Sequence, residues 1–368
     1  MISVLINNHN YGQYVGEAIE SVLNQTYQDF EIIVVDGGSE DQSRDVIQSY
    51  VRKYPQKITA VYKPSSGQAA AINVGFQLSR GDIIALLDSD DYFMPTKLEK
   101  IAGFHKTCAF VGHGRRQLTG GGELVDASAP LDDRENRSLL YHRFGYIYTY
   151  NLITSCISAT RSLMSNILPM PEEDYVTFAD CYIKVMAQNY CDIQYYQDPL
   201  TFYRIHPAQR NQAFQDAVSA AEFAAGLYKR VFADINQALR ARGEETLPML
   251  TLDRLAEAFA LANPTTDIRR GGTYAIYGAG ISAYKIYNII RLIGGEVVFA
   301  ADSDRRKWGT RWMGLEVVPP EELLKQRNRF DQIVIGTTTF YQDVSKTLRG
   351  WGLELKKDFS VVTSLPND

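Results

Sequence analysis

The chain has 368 residues, with 38 Lys plus Arg against 43 Asp plus Glu and a net charge of -5; 45% of its residues are hydrophobic and 22% charged. Such a chain buries enough apolar surface to offset its conformational entropy, which excludes a disordered protein. Its mildly acidic balance, without a Lys/Arg run, carries no electrostatic footprint for nucleic acid, and its length suggests two or three domains.

No apolar stretch reaches the roughly 20 residues that span a bilayer. The opening MISVLI has neither a basic segment nor a cleavage pattern, so a cytoplasmic protein is expected, with peripheral contact at the inner face of the cell membrane left open. Cys108, Cys156, Cys181 and Cys191 form no CxxC pair and suit a reducing compartment. Tyrosine is in excess, 23 against 3 tryptophans.

In chain order, Ile2 to Ile6 reads as a strand, and Val15, Ala18, Ile19, Val22 and Leu23 recur at the spacing of one helix face. Glu31 to Val35 is a second strand ending in Asp36. Ser39 with Gln42 fits a capping box ahead of the helical stripe Val46, Ile47, Tyr50 and Val51. A third strand covers Ile58 to Tyr62, a third helix Gln68 to Leu78 is stopped by Gly81, and a fourth strand runs from Asp82 to Leu87. This alternation predicts a mostly parallel sheet flanked by helices, with ligands beyond the carboxyl ends of its strands.

The DSDD run at 88–91 follows that fourth strand. Three carboxylates in four residues repel one another unless a cation binds, and Asp88 and Asp90 would alternate along an extended backbone. A hard cation such as Mg²⁺ or Mn²⁺ takes oxygen ligands and bridges carboxylates to phosphates. The alternative is a polar turn in which Asp91 caps a helix that Pro95 begins. Asp36 lies at another strand end, in VVDGGSEDQS, where glycines admit a ligand close to the backbone. No Walker loop is present.

Residues 2 to about 210, which carry these motifs, resemble the family 2 glycosyltransferases of the GT-A fold. ISVLINNHNYGQYVGEAIESVLNQTYQDFEIIVVDGGSEDQS looks like the family's opening block and GQAAAINVGFQLSRGDIIALLDSDDYFMP like its second. The resemblance implies a nucleotide-sugar donor and a saccharide or lipid-linked saccharide acceptor. It gives Asp36 the nucleobase, Asp88 the ribose and Asp90 a metal on the donor diphosphate, and it puts Asn7 and His9 in the nucleotide pocket.

An inverting transfer needs a base at the acceptor hydroxyl. Asp180, in MPEEDYVTFADCYIKVMAQ, stands where the family places that carboxylate; a helix-dipole partner is its plainer reading. Glu172, Glu173 and Asp174 compete from what reads as an exposed loop. TFYRIHPAQRN resembles the family's YRxH segment, which makes His206 a third metal ligand or diphosphate contact and Arg204 a phosphate neighbour. His105, His113 and His142 lack ligand spacing and are expected at the surface or in loops. Tyr146, Tyr148 and Tyr150 share one side of a strand pattern and suit either an acceptor platform or sheet packing.

Three regions are expected: a GT-A domain at 1–210, a helical connector at 211–270 and a small Rossmann-like domain at 271–368. In the last, YGAGISA follows a strand and opens a helix, and Asp302 ends the next strand. Gly278, Gly280 and Asp302 thus fit the dinucleotide fingerprint. That region contains no His or Cys, so NAD(P) redox or epimerase chemistry is disfavoured against a small-ligand, regulatory or packing role.

Overall fold

The computed structural model describes residues 1–64, 67–118, 124–127, 152–206, 217–248, 257, 259, 263, 266–337 and 340–362. They divide into two compact units, one formed by Met1–Ala129 with Asn151–Pro207 and the other running from Ala208 onward.

The first unit opens with β1 (Ile2–Asn8), α1 (Val15–Leu23), β2 (Phe30–Asp36), α2 (Ser43–Lys53), β3 (Ile58–Tyr62), α3 (Gly67–Leu78) and β4 (Ile83–Asp88). After these come β5 (Tyr92–Phe93), α4 (Lys97–Phe104), β6 (Phe110–Leu118), β7 (Leu124–Ala127), β8 (Ile157–Thr160), α5 (Arg161–Ile167), α6 (Ala179–Ala187) and β9 (Ile193–Tyr203). The sheet order is β3-β2-β1-β4-β8-β6-β9-β5, with β7 on β6. The strands β3, β2, β1 and β4 are parallel, whereas β8 runs against both β4 and β6.

Every residue of β2 is buried, as a strand covered on both faces requires. Val15, Ala18, Ile19 and Val22 of α1 are wholly buried against the sheet. Burying each larger side chain of that stripe contributes about 1.5–3 kcal/mol.

Local expectations fail where a stronger partner competes. Ser39 does not cap α2, because its hydroxyl oxygen already accepts from the Asn10 N–H (2.8 Å) and Asn8 Nδ2 (3.2 Å) while its proton goes to Asp36 Oδ2 (2.7 Å). Asp41 performs the role instead, accepting from the N–H groups of Ser43 (2.9 Å) and Gly12 (2.8 Å). Ser89 and Asp90 form a turn closed by Asp91 N–H on the Asp88 carbonyl (3.0 Å), so Asp88 and Asp90 do not alternate along a strand. Thr96 is the N-cap of α4, which leaves Asp91 free of any capping role there.

His113 is a further correction. It lies buried on β6, between β8 and β9, and burial pushes its imidazole well below the usual range. His105 is half-buried, its ring nitrogens 2.8 Å from the Cys108 carbonyl and the Ser158 hydroxyl. His142, Tyr146, Tyr148 and Tyr150 lie outside the described residues. The four cysteines are free thiols.

The second unit contains α7 (Ala217–Ala241), β10 (Thr273–Tyr277), α8 (Ile281–Ile293), β11 (Glu296–Ala301), β12 (Arg311–Trp312) and β13 (Leu315–Val318). It continues with α9 (Glu322–Lys325), β14 (Gln332–Ile335), α10 (Tyr341–Gly350) and β15 (Phe359–Val361). Its sheet has the order β12-β13-β11-β10-β14-β15 and is parallel except for the β12/β13 pair. The helix α7, from the segment read as a connector, packs on α8. Among the described residues no helix is long and apolar enough to cross a membrane.

Candidate active site

The central strand β1 ends in two asparagines whose side chains go to opposite neighbours. Asn7 is in register with Asp88 on β4 and donates to its Oδ1 at 2.8 Å. Asn8 is in register with Asp36 on β2 and donates to its Oδ2 at 2.7 Å. Asn7 is expected here from sequence, whereas Asn8 is not. Only the three-strand register shows that consecutive residues serve the two acids. Asp36 also accepts from the Ser39 N–H (3.0 Å), and the buried Asn8 Oδ1 has no hydrogen-bond partner. His9 stands beside this turn, Nδ1 3.1 Å from the Gly37 carbonyl.

On the β4 side the acids crowd together. Burial pushes Asp88 up to about 7, and the charges of Asp90 and Asp180 add to the rise, opposed by hydrogen bonds from Asn7 and Thr154. Burial likewise raises Asp91 well above the carboxylate range, with Asp90 and Asp88 contributing. Asp91 organises the floor of the site. Its Oδ2 accepts from the Ser155 hydroxyl (2.6 Å), whose oxygen in turn accepts from the Asp88 N–H (3.0 Å). Its Oδ1 accepts from the Arg204 N–H (3.0 Å). Beneath lies Lys97, fully buried, donating to the Ser155 carbonyl at 2.6 Å and to Thr201 Oγ1 at 3.2 Å. Burial pulls that ammonium down to about 7.

The strand β9 brings the last pieces. His206 Nε2 is 3.1 Å from Asp90 Oδ2, and both residues are buried. The rings of Tyr11 and Tyr14 pack on the imidazole with centroids 5.3 and 4.9 Å away. Arg204 donates from Nε to the Asp90 carbonyl (2.9 Å), pairs with Glu17 and lies 4.7 Å over the Tyr14 ring. Its guanidinium therefore clamps the DSDD turn to α1, a structural task the phosphate reading did not foresee.

Asp180 occupies the first turn of α6, its side chain 14% exposed and 3.2 Å from Lys184 Nζ. Lys184 also donates to the Leu152 carbonyl (3.2 Å), which holds the pair in place. Glu172, Glu173 and Asp174 lie in an exposed loop. Gln68, which the motif reading ignored, donates to both Asp88 and Thr154.

In the second unit Gly278 takes φ +112, open to glycine alone without strain, and Gly280 precedes α8 with open space where a Cβ would stand. Asp302 is held within its own domain. Its Oδ2 accepts from the Ala279 N–H (2.8 Å) and Lys307 Nζ (2.8 Å), and its Oδ1 from the Asp304 N–H (2.8 Å). The acid of the fingerprint is used to close its own glycine turn.

Residues 3–168 match the model of glycosyl transferase family 2, and residues 273–358 match that of the C2185-like N-terminal domain. An uncharacterized glycosyltransferase of Nostoc sp. is 32% identical over 225 residues, 60% of this chain and 70% of that protein. TuaG of Bacillus subtilis, whose name reads "putative teichuronic acid biosynthesis glycosyltransferase", is 35% identical over 135 residues, covering 36% of this chain and 51% of that protein. Among solved structures, S. aureus TarS in complex with UDP overlays 65% of this chain and 69% of its own, at 19% identity and a TM-score of 0.45.

Proposed function

The chain belongs to glycosyl transferase family 2 and is a glycosyltransferase; from that premise we propose that it transfers a sugar, with inversion, from a nucleotide donor to a saccharide or lipid-linked saccharide acceptor in bacterial surface-polysaccharide assembly. The observation that carries this reading is the placing of Asp36 and Asp88 at the carboxyl ends of the strands flanking β1, with Asp90 in the turn after β4 and Gln68 linking Asp88 to the first turn of the helix that carries Asp180. The polysaccharide setting is supported by relatives such as TuaG.

Asp36, steadied by Asn8, faces the nucleobase, and Asp88, steadied by Asn7, the ribose. Asp90 and His206 offer one carboxylate oxygen and one imidazole nitrogen, 3.1 Å apart. Divalent Mg²⁺ or Mn²⁺ commonly takes one or two such side chains and completes its shell with phosphates and water. Among the described residues no larger His/Cys/Asp/Glu group could hold a metal by itself. The ion, when bound, supplies positive charge that stabilises the departing nucleoside diphosphate. Asp180 takes the proton from the acceptor hydroxyl as that oxygen bonds to the anomeric carbon and the bond to the diphosphate breaks. Lys184 keeps the carboxylate aimed.

A nicotinamide-dependent reaction in the second, Rossmann-like unit is the weaker reading, because Asp302 already accepts three hydrogen bonds from its own domain. There we place a small-ligand, regulatory or packing role.

A thermal-shift screen of nucleotide sugars on the full chain, with and without Mn²⁺, tests the proposal. One sugar nucleotide should stabilise the wild type in the presence of Mn²⁺, by about 2.7 kcal/mol at a hundredfold excess over its Kd. Asp90→Ala should lose that stabilisation, and equal stabilisation of both proteins would remove the metal assignment. Asp180→Asn should keep the shift while turnover drops about 10²–10⁴-fold.

A further inference from the structure

The helix that carries Asp180 lacks a cap of its own. Phe178 precedes α6 in the left-handed region (φ 61) and its side chain makes no capping hydrogen bond. The first N–H groups of a helix have no intrahelical partner, and here the one on Ala179 donates 3.0 Å to Gln68 Oε1, a residue 111 positions earlier in the chain. The other end of the same amide belongs to the donor side: Gln68 Nε2 donates to Asp88 Oδ1 (3.0 Å) and to Thr154 Oγ1 (3.0 Å).

The orientation of this amide is determined by its neighbours. Oε1 faces an N–H donor and Nε2 faces two oxygens, so a flipped amide would set its oxygen against a carboxylate. The backbone strengthens the link. The Gln68 N–H donates to the Val176 carbonyl (2.8 Å) and the Ala69 N–H to the Tyr175 carbonyl (3.2 Å). Gly67 permits this approach, with φ +79 and a position where a Cβ would lie 2.6 Å from Val176 Cα.

We propose that Gln68 is a positioning residue for sugar transfer, a single amide that ties Asp88 on the donor side to the start of α6, and so to Asp180, on the acceptor side. The proposal rests on reading Asp88 as a donor contact and Asp180 as the base. Reaction requires the anomeric carbon and the acceptor oxygen within a near-attack separation, and a misplacement of 1 Å can cost about 10²-fold in rate. Gln68 holds the two carboxylates at one spacing.

The test uses the full chain with MnCl₂ and UDP-, GDP- and dTDP-hexoses, taking the one that shifts the wild-type melting temperature most and following its slow hydrolysis. Gln68→Leu removes both connections. It should lower kcat about 10²-fold with donor KM changed less than about threefold. Amide exchange at 179–181 should quicken. Gln68→Glu keeps an acceptor for the Ala179 N–H but sets a carboxylate against Asp88. It should keep that exchange slow and instead raise donor KM about tenfold or more. This opposite split is what a packing role would not produce. Equal loss of kcat in both variants with unaltered exchange, or a Gln68→Leu enzyme with wild-type kcat, overturns the proposal alone. A wild type that neither binds nor hydrolyses any of the sugars overturns the functional reading and the proposal together.

Discussion

Each unit of the molecule sets an acid at the carboxyl end of a strand beside its central strand, yet the acids are treated in opposite ways. In the first, Asp36 and Asp88 receive hydrogen bonds from neutral groups, the amides of Asn8, Asn7 and Gln68 and the hydroxyl of Ser39. These donors orient both carboxylates, and burial, with the charges of Asp90 and Asp180, pushes Asp88 up to about 7. In the second, Lys307 pairs with Asp302 and the Ala279 N–H consumes the same oxygen. Parallel topology delivers an acid to a strand end. The partner it meets decides whether that acid is held by neutral amides or paired with a lysine.

Charge removal should therefore have opposite consequences in the two units. Asp88→Asn relieves the repulsion with Asp90, and the unliganded protein should melt higher, by the equivalent of about 1 kcal/mol. The same change should weaken donor binding about 10- to 100-fold, through loss of a charged hydrogen bond to the ribose. A lower melting temperature for Asp88→Asn would break the comparison. Lys307→Met works the other way, stranding a buried carboxylate. Because the Lys307 side chain is 39% exposed, the expected cost is reduced to about 1–2 kcal/mol. Denaturant unfolding should show it in the second unit, with sugar transfer unchanged. The smallest effect belongs to Asn8→Ala. Ser39 still holds Asp36, and the orphaned Asn8 Oδ1 disappears with the side chain, so stability should fall by only about 1 kcal/mol. Donor titration should show a few-fold loss confined to the nucleobase contact, which base-modified nucleotides would report.

Much of this architecture is legible in sequence because local periodicity and burial coincide. The helical spacing of Val15, Ala18, Ile19 and Val22 and the unbroken apolar run of β2 leave one solution each, and both are observed. Strand-end position marked Asp36, Asp88 and Asp90, and the family resemblance marked Asp180 and His206; Asn8 and Asn7 now hold Asp36 and Asp88, and Gln68 links Asp88 to the start of the helix that carries Asp180. What stayed hidden has a common cause. Gln68, Asn8, Asp91 and Lys97 act through partners far along the chain, and a polar residue inside a helix or beside a motif carries no periodic signal. His113 misled for the same reason, since only the pairing of β6 with β8 and β9 buries it.

Sequence was enough to place the first four strands, their three helices and the acids at the ends of β2 and β4, because these follow from side-chain period and turn chemistry within a dozen residues. Tertiary structure alone decided what each acid meets. Sheet order brings Asn7 and Asn8 between Asp88 and Asp36, and the approach of α3 to α6 lets Gln68 cap a helix 111 residues away. A hydrogen bond is a matter of distance and direction in space, and chain separation says nothing about either.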